Sequence, residues 1–446
     1  MTGAPALAVA ALASVVLGSV VAARHIDVPF PRIASVTQHG ATPRQLSSTF
    51  ASGTYDPSWE AVSGEWVGAN LRLVLVPRAA DSHGPSLYGA IPEGPLEGAL
   101  DLRGTLSAGA VMKGTLVRAR ESLPVTPVTL VRTASGLRLD ADHERSIELR
   151  RARNVNRELL ARVAIIAHRG LSLNVDSLMN SSRAIDHAWR FGASGVELDV
   201  TVPYERERRG ARIPRPRELR ISHPPVLRSE LTGFDSDPLE QLKAALTPRD
   251  ALNAVSRRDL PLVYLDLKLR WLIPGHDADL QAAVDEIERA ALDAVRHDER
   301  LHVLIGAETG RAAEVLGSRS LTSTEPRLGW AAELTKGTDI NAFLTHAQSQ
   351  AGAPSALSLN LLRIRDGGGG ILGWFLQDAD ASFEARVLRL PQPLILWTAA
   401  NVKQFEGALS AIQRMSDPGQ LRSAAIITPF PHRLAWFLAT AGQPPR

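Results

Sequence analysis

The sequence predicts an α/β protein: a TIM (β/α)8 barrel in the C-terminal two thirds, preceded by a small all-β domain and an N-terminal hydrophobic helix. Three observations predict it. Residues 3–23 form an apolar run without a charged side chain. Residues 51–150 carry short alternating runs cut by Gly and Pro. From Val163 onward, apolar strands alternate with amphipathic helices.

The apolar run is long enough to cross a bilayer, so residues 1–24 are expected to be a signal peptide or a membrane anchor. Val21-Ala22-Ala23 offers small residues for cleavage. Arg24 and Arg32 follow the run and no Lys or Arg precedes it, which would leave the body of an anchored chain cytoplasmic. The expected localisation is membrane-anchored or exported. Residues 25–50 contain Pro29, Pro31, Gly40 and Pro43 and read as a linker.

Period-two alternation in 70–76, 99–103, 114–118 and 128–132 predicts strands of the all-β domain. Gly64-Glu65-Trp66 resembles the entry strand of a lipocalin barrel; a β-sandwich around a core tryptophan is the alternative. Residues 144–162 are rich in Arg and read as a helical connector to the larger domain, placed at 155–446. Its strands are expected at 163–167, 195–200, 219–222, 262–267, 302–305, 356–359, 393–397 and 424–428. The clearest helix is 277–297, where Leu280, Val284, Ile287, Ala291 and Val295 recur every three or four residues. Strands interleaved with helices imply a parallel sheet closed into a barrel, with reactive side chains at the C-terminal strand ends.

Composition excludes several functions. A net charge of +3 does not point to nucleic acid. The absence of cysteine excludes disulfides, thiol catalysis and Cys-ligated metal.

Polar residues collect at the predicted strand ends. The first strand ends in His168-Arg169-Gly170, the second contains Glu197 and Asp199, and another ends in His223. Asp266 and Lys268 close a fourth, and Trp397 ends a late strand with Asn401 just behind. Glu197 and Asp199 share one face of their strand, between apolar Val196, Leu198 and Val200. They therefore face water or the barrel interior, where carboxylates need a cation. Asp266 and Lys268 repeat this geometry, with a structural ion pair as the alternative. Three carboxylates suit a hard divalent cation. Arg169 offers a fork of donors to phosphate oxygens and Lys268 a point charge. His168 and His223 can serve as base and acid; the sequence leaves open which is which.

These blocks resemble the glycerophosphodiester phosphodiesterase family. Residues 165–170, Asn180-Ser181 and 192–200 are similar to its His-Arg-Gly, Glu-Asn-Thr and Gly-Ala-x-x-x-Glu-x-Asp motifs. His223 matches its second histidine, Asp266-Leu267-Lys268 its Glu-x-Lys, and 396–401 its Trp-Thr-x-Asn. The likeness runs in order through about residues 160–440. It implies a Ca2+ or Mg2+ ion on Glu197, Asp199 and Asp266. It places Asn180, Trp397 and Asn401 with Arg169 and Lys268 as substrate- and phosphate-binding residues. The implied reaction cleaves a phospholipid-derived phosphodiester to an alcohol and a phosphomonoester, with membrane association expected. Attack by a neighbouring substrate hydroxyl would instead give a cyclic phosphate.

The sequence departs from the family at Met179, Pro224 and Pro429, which stand for Glu, Asp and Asp. Asp266 is one carbon shorter than the usual Glu. Asp-Leu-Lys with His-Pro is similar to the sphingomyelinase D and phospholipase D branch, which lacks an Arg after its first histidine. Three outcomes follow: a hydrolase, a cyclising lyase, or an inactive barrel serving as a membrane-tethered binding module. Between Asp199 and His223, seven arginines from Arg206 to Arg220 offer contacts to anionic headgroups; a solvated loop balanced by Glu205, Glu207 and Glu218 is the alternative. Residues 367–370, four glycines, read as a surface turn.

Overall fold

A computed structural model describes residues 46, 48–50, 57–81, 84–104, 111–141, 145–175, 178–201, 219–223, 245–258, 260–268, 277–307, 315–318, 325–334, 354–361, 392–416 and 421–443. The N-terminal apolar run, all but the last of the loop arginines and the glycine run lie outside these residues. No described helix is long and apolar enough to cross a membrane.

Eight antiparallel strands form the first unit: β1 Gly64–Gly68, β2 Leu71–Asp81, β3 Gly84–Ile91, β4 Gly98–Arg103, β5 Val111–Arg118, β6 Val125–Arg132, β7 Leu137–Ala141 and β8 Arg145–Arg153. Each pairs with the next and β8 returns to β1, so the sheet is a closed up-and-down barrel rather than a sandwich. Alternation sends Leu73, Leu75, Leu87, Leu100, Met112 and Leu130 inward with Trp66, which fill the interior. One expectation is corrected here. Residues 145–153 are a strand, not part of a helical connector. Ile147 and Leu149 pack into the barrel core; the arginines around them obscure a period-two pattern.

The second unit is a closed parallel barrel of β9 Val163–Ala167, β10 Gly195–Thr201, β12 Leu262–Leu267, β13 His302–Ala307, β14 Leu328–Leu334, β15 Ala356–Asn360, β16 Leu394–Trp397 and β17 Ala424–Thr428. Strand β9 pairs with both β10 and β17, which closes it. Eight strands are present as expected, but one differs. Residues 219–222 yield only β11 (Arg220–Ile221), a short antiparallel addition to Val200 and Thr201. The place in the barrel belongs to β14, whose Leu-Gly-Trp-Ala-Ala-Glu-Leu lacks the β-branched residues that mark a strand.

The helices are α1 Arg157–Arg162, α2 Ser182–Ala188, α3 Pro248–Ser256, α4 Asp277–His297, α5 Val402–Arg414 and α6 Pro431–Thr440. In α4, all five residues of the predicted stripe are buried. Ala164, Ile166, Leu262, Leu304, Ile395 and Ala425 make the lower barrel interior apolar. Leu46, from the end of the predicted linker, joins them, and its N–H donates to Ser423 Oγ at 2.9 Å. Ser423 precedes β17, so Leu46 closes the end where the strands begin.

The two barrels share a core. Outward-facing Val74, Val76, Tyr88, Ala90, Ala99 and Val117 of β2–β5 pack into the cluster that surrounds the parallel barrel. Arg78 is 1% exposed: its guanidinium donates to the Trp189 carbonyl at 2.7 Å and stacks 3.2 Å from the Trp189 ring centroid. Tyr88 donates to the Phe191 carbonyl at 2.8 Å. Gly192 has φ 85, and a Cβ there would lie 2.6 Å from the Tyr88 hydroxyl, so no larger residue fits. Glu97 accepts from His432 Nε2 at 3.0 Å and from Arg433 Nε at 2.8 Å.

Two outcomes follow from this junction. Arg78→Ala removes a charged hydrogen bond and a buried cation–π contact, and is expected to lower unfolding free energy by about 2–4 kcal/mol in urea titration. Burial pushes the pKa of His432 down in spite of Glu97. Burial opposes ionisation of Glu97, but His432 and Arg433 outweigh it and hold that pKa below the ordinary value. As pH falls below about 6.5, the unfolded chain takes a proton that folded His432 resists, so stability falls with pH. His432→Gln is expected to flatten that slope between about pH 7 and 5, read as denaturation midpoints across pH.

Candidate active site

The turn after β9 begins the site. Arg169 (φ 53) and Gly170 (φ 84) both adopt left-handed geometry, strained for an arginine. This bends the chain onto β10: Arg169 N–H donates to Glu197 Oε2 at 2.8 Å, and Gly170 N–H to the Glu197 carbonyl at 2.9 Å. Asn180, also left-handed at φ 58, donates its side-chain amide to Asp199 Oδ2 at 3.0 Å. Its Oδ1 accepts the Asp199 N–H at 3.1 Å. The Asn180 amide thus holds Asp199 through both of its polar atoms.

Strands β10 and β12 place Asp199 beside Asp266 in register. Oxygens of Glu197, Asp199 and Asp266 lie within 4.8 Å of one another, and all three residues are buried. Cations surround them. Arg169 Nε is 3.0 Å from Asp199 Oδ2, and its guanidinium reaches Met179 Sδ at 3.0 Å, where the related motif carries Glu. Lys268 Nζ is 2.6 Å from Asp266 Oδ2 and 3.9 Å from Asp199 Oδ1. The Asp266–Lys268 ion pair and the acidic cluster therefore coexist.

His168 Nε2 stands 3.9 Å from Glu197 Oε2, and His168 Nδ1 has no hydrogen-bond partner among the described residues. Burial, with Arg169 beside it, lowers the His168 pKa to about 4. The charge of His223 adds to that lowering. Ser222 N–H donates to the Asp199 carbonyl at 3.0 Å and holds the His223 segment against β10. His223 thus follows the short antiparallel strand rather than a barrel strand.

Burial, then repulsion from Asp199 and Asp266, raises the Glu197 pKa well above the usual carboxylate range. Burial opposes the charge on Lys268, yet Asp266, Glu333 and Asp199 raise its pKa above the ordinary value. A buried trio of carboxylate oxygens at this spacing suits a hard divalent cation, which would relieve the repulsion on Glu197.

Trp397 ends β16 half-buried against the interior cluster, and its Nε1–H is buried without a partner among the described residues. Asn401 is exposed and caps α5, its Oδ1 accepting from Gln404 N–H at 3.1 Å; no described contact ties it to the carboxylates. Glu333 was missed. It lies on β14, is 6% exposed, and acts electrostatically on Lys268 and Tyr264. Its signal was parity with Ala331, an interior residue of the same strand.

No family model matches the sequence, and no curated protein does. Among solved structures, the fold resembles a glycerophosphodiester phosphodiesterase from Thermotoga maritima at 17% identity and TM-score 0.37, over 62% of this chain and 97% of that one. A glycerophosphodiester phosphodiesterase from Parabacteroides distasonis aligns at 14% identity and TM-score 0.39, with the same coverage. At these scores the likeness assigns neither family nor activity.

Titration calorimetry with Ca2+ and Mg2+ checks the cluster directly. The intact chain is expected to bind one of them, and Glu197→Gln to bind it markedly more weakly. Asn180→Ala is expected to weaken affinity by about 10–100-fold, because Asp199 loses its orienting partner. Unchanged affinity in Glu197→Gln would remove the ligand assignment.

Proposed function

We propose that the chain is a metal-dependent phosphodiester hydrolase acting on glycerophosphodiesters or related (lyso)phospholipid headgroup esters. The observation that carries this reading is the convergence of Glu197, Asp199 and Asp266 within 4.8 Å at the C-terminal ends of adjacent strands, with His168, Arg169 and Lys268 around them. A bound Ca2+ or Mg2+ would supply a Lewis-acid contact to a phosphate oxygen. Glu197, Asp199 and Asp266 would hold it, and Asn180 keeps Asp199 in place. Arg169 and Lys268 present positive charge to the non-bridging oxygens. His168 and His223 take the proton of the attacking oxygen and return one to the leaving alcohol. Trp397 walls the pocket.

The test is a panel of choline, ethanolamine, inositol and lyso-lipid diesters with either cation, its products read by phosphorus NMR. A phosphomonoester is the expected product. A cyclic phosphate signal assigns the chain to the cyclising chemistry of the sphingomyelinase D branch. No turnover together with no cation binding identifies an inactive barrel. His168→Ala and His223→Ala are each expected to reduce turnover by about 10²–10⁴-fold; a variant with undiminished rate removes that histidine from the mechanism. The charge-free run 3–23 supports a membrane-anchored or exported protein, checked by fractionation of cells expressing the full chain.

A further inference from the structure

The structure assigns a second anion site, for a phosphate group, to the junction between the two barrels. A cleft of about 320 Å3 opens there. The antiparallel barrel contributes Asp101, Arg103 and Lys113 to its walls; the parallel barrel contributes Asp186, Arg190, Arg257 and Arg258 around Trp189. Five cations thus face two carboxylates, and both carboxylates are engaged. Asp101 lies 3.6 Å from Arg78 and 3.4 Å from Arg103. Asp186 lies 2.7 Å from Arg258. Lys113, Arg190 and Arg257 form no ion pair with a carboxylate among the described residues.

Three uncompensated cations from two folding units around one concave surface repel one another, and a multiply charged anion relieves that repulsion. Arginine forks and a lysine suit phosphate oxygens. The volume lies at the lower end of small-molecule pockets, about 300–1,000 Å3, and admits a phosphate group with a small organic substituent. The cleft is separate from the carboxylate cluster. Arg190 precedes β10 and Arg257 precedes β12, so both lie where the parallel strands begin, whereas Asp199 and Asp266 lie where they end. The inference therefore stands without the proposed reaction.

A free phosphate or phosphomonoester and a phospholipid headgroup share this chemistry, and two arms of one experiment separate them. In the first, inorganic phosphate is titrated calorimetrically into the full chain at fixed ionic strength. Binding is expected in the intact chain and in Arg169→Ala, which weakens the anion contacts at the barrel mouth. Lys113→Glu/Arg257→Glu is expected to bind at least tenfold more weakly. Both positions are exposed, so the fold is expected to survive; Lys113→Ala/Arg257→Ala is the milder variant should the charge reversals not fold. In the second arm, vesicles of phosphatidylcholine with and without phosphatidylglycerol are sedimented with the same proteins. Phosphate binding without vesicle binding identifies a soluble ligand; vesicle binding lost in the double variant identifies a lipid headgroup. Double variants that bind phosphate and vesicles as the intact chain does, or an intact chain that binds neither, overturn the site.

Discussion

The mutual repulsion of three buried carboxylates is the constraint on which the barrel mouth depends. Two unit charges about 5 Å apart at an effective dielectric near 20 repel by about 3 kcal/mol, and three such pairs meet here. The fold answers with Arg169 and Lys268, two cations for three acids. Glu197, hydrogen-bonded to the Arg169 backbone, keeps a raised pKa even so. The strain in the turn serves the same end. Left-handed Arg169 and Gly170 bring backbone N–H groups to β10, and left-handed Asn180 brings an amide to Asp199. Such cost persists in a fold only where neighbouring structure enforces it, and here each strained residue touches an acid of the cluster or the residue beside it.

Much of this was legible in the sequence because strand parity is a strong constraint. Glu197 and Asp199 between Val196, Leu198 and Val200 had to share one face, water or the barrel interior, and the β10–β12 register puts Asp199 next to Asp266. The predicted stripe of α4 was equally legible, since long amphipathic helices are set by local spacing. What was lost was lost for physical reasons. Strand β14 has no β-branched residue, and tertiary pairing with β13 and β15 supplies what propensity does not; with it went Glu333. Strand β8 was taken for a helix because arginine favours helices and its alternation is visible only once Ile147 and Leu149 have a barrel to enter. Asn180 was legible as a member of the motif, but its hydrogen bonds to Asp199 were not. Whether an amide serves a substrate or a neighbouring carboxylate depends on distances that motif spacing does not encode.

The antiparallel barrel uses both of its surfaces for packing. Leucines fill its interior, and the outer wall of β2–β5 is covered by the parallel barrel. Arg78 shows how the units are joined: a nearly inaccessible guanidinium held by Ser86 and Asp101 of its own barrel reaches across to the Trp189 carbonyl and ring. Separating them would expose apolar wall and take that cation from Trp189. The small barrel is therefore part of the same folded body as the parallel barrel.

That union links the two polar regions of the parallel barrel through one short helix. At one end of α2, a Cβ on Gly170 would lie 3.1 Å from Ala184 Cβ, so the turn carrying His168 and Arg169 is packed tightly against it. At the other end, Asp186, Trp189 and Arg190 line the junction cleft. Leu46 and the apolar layers above it fill the barrel interior between the strand starts and the carboxylate cluster. Ala184, Ile185 and Ala188 of that helix are fully buried, so it is held between the Arg169 turn and the cleft by close packing.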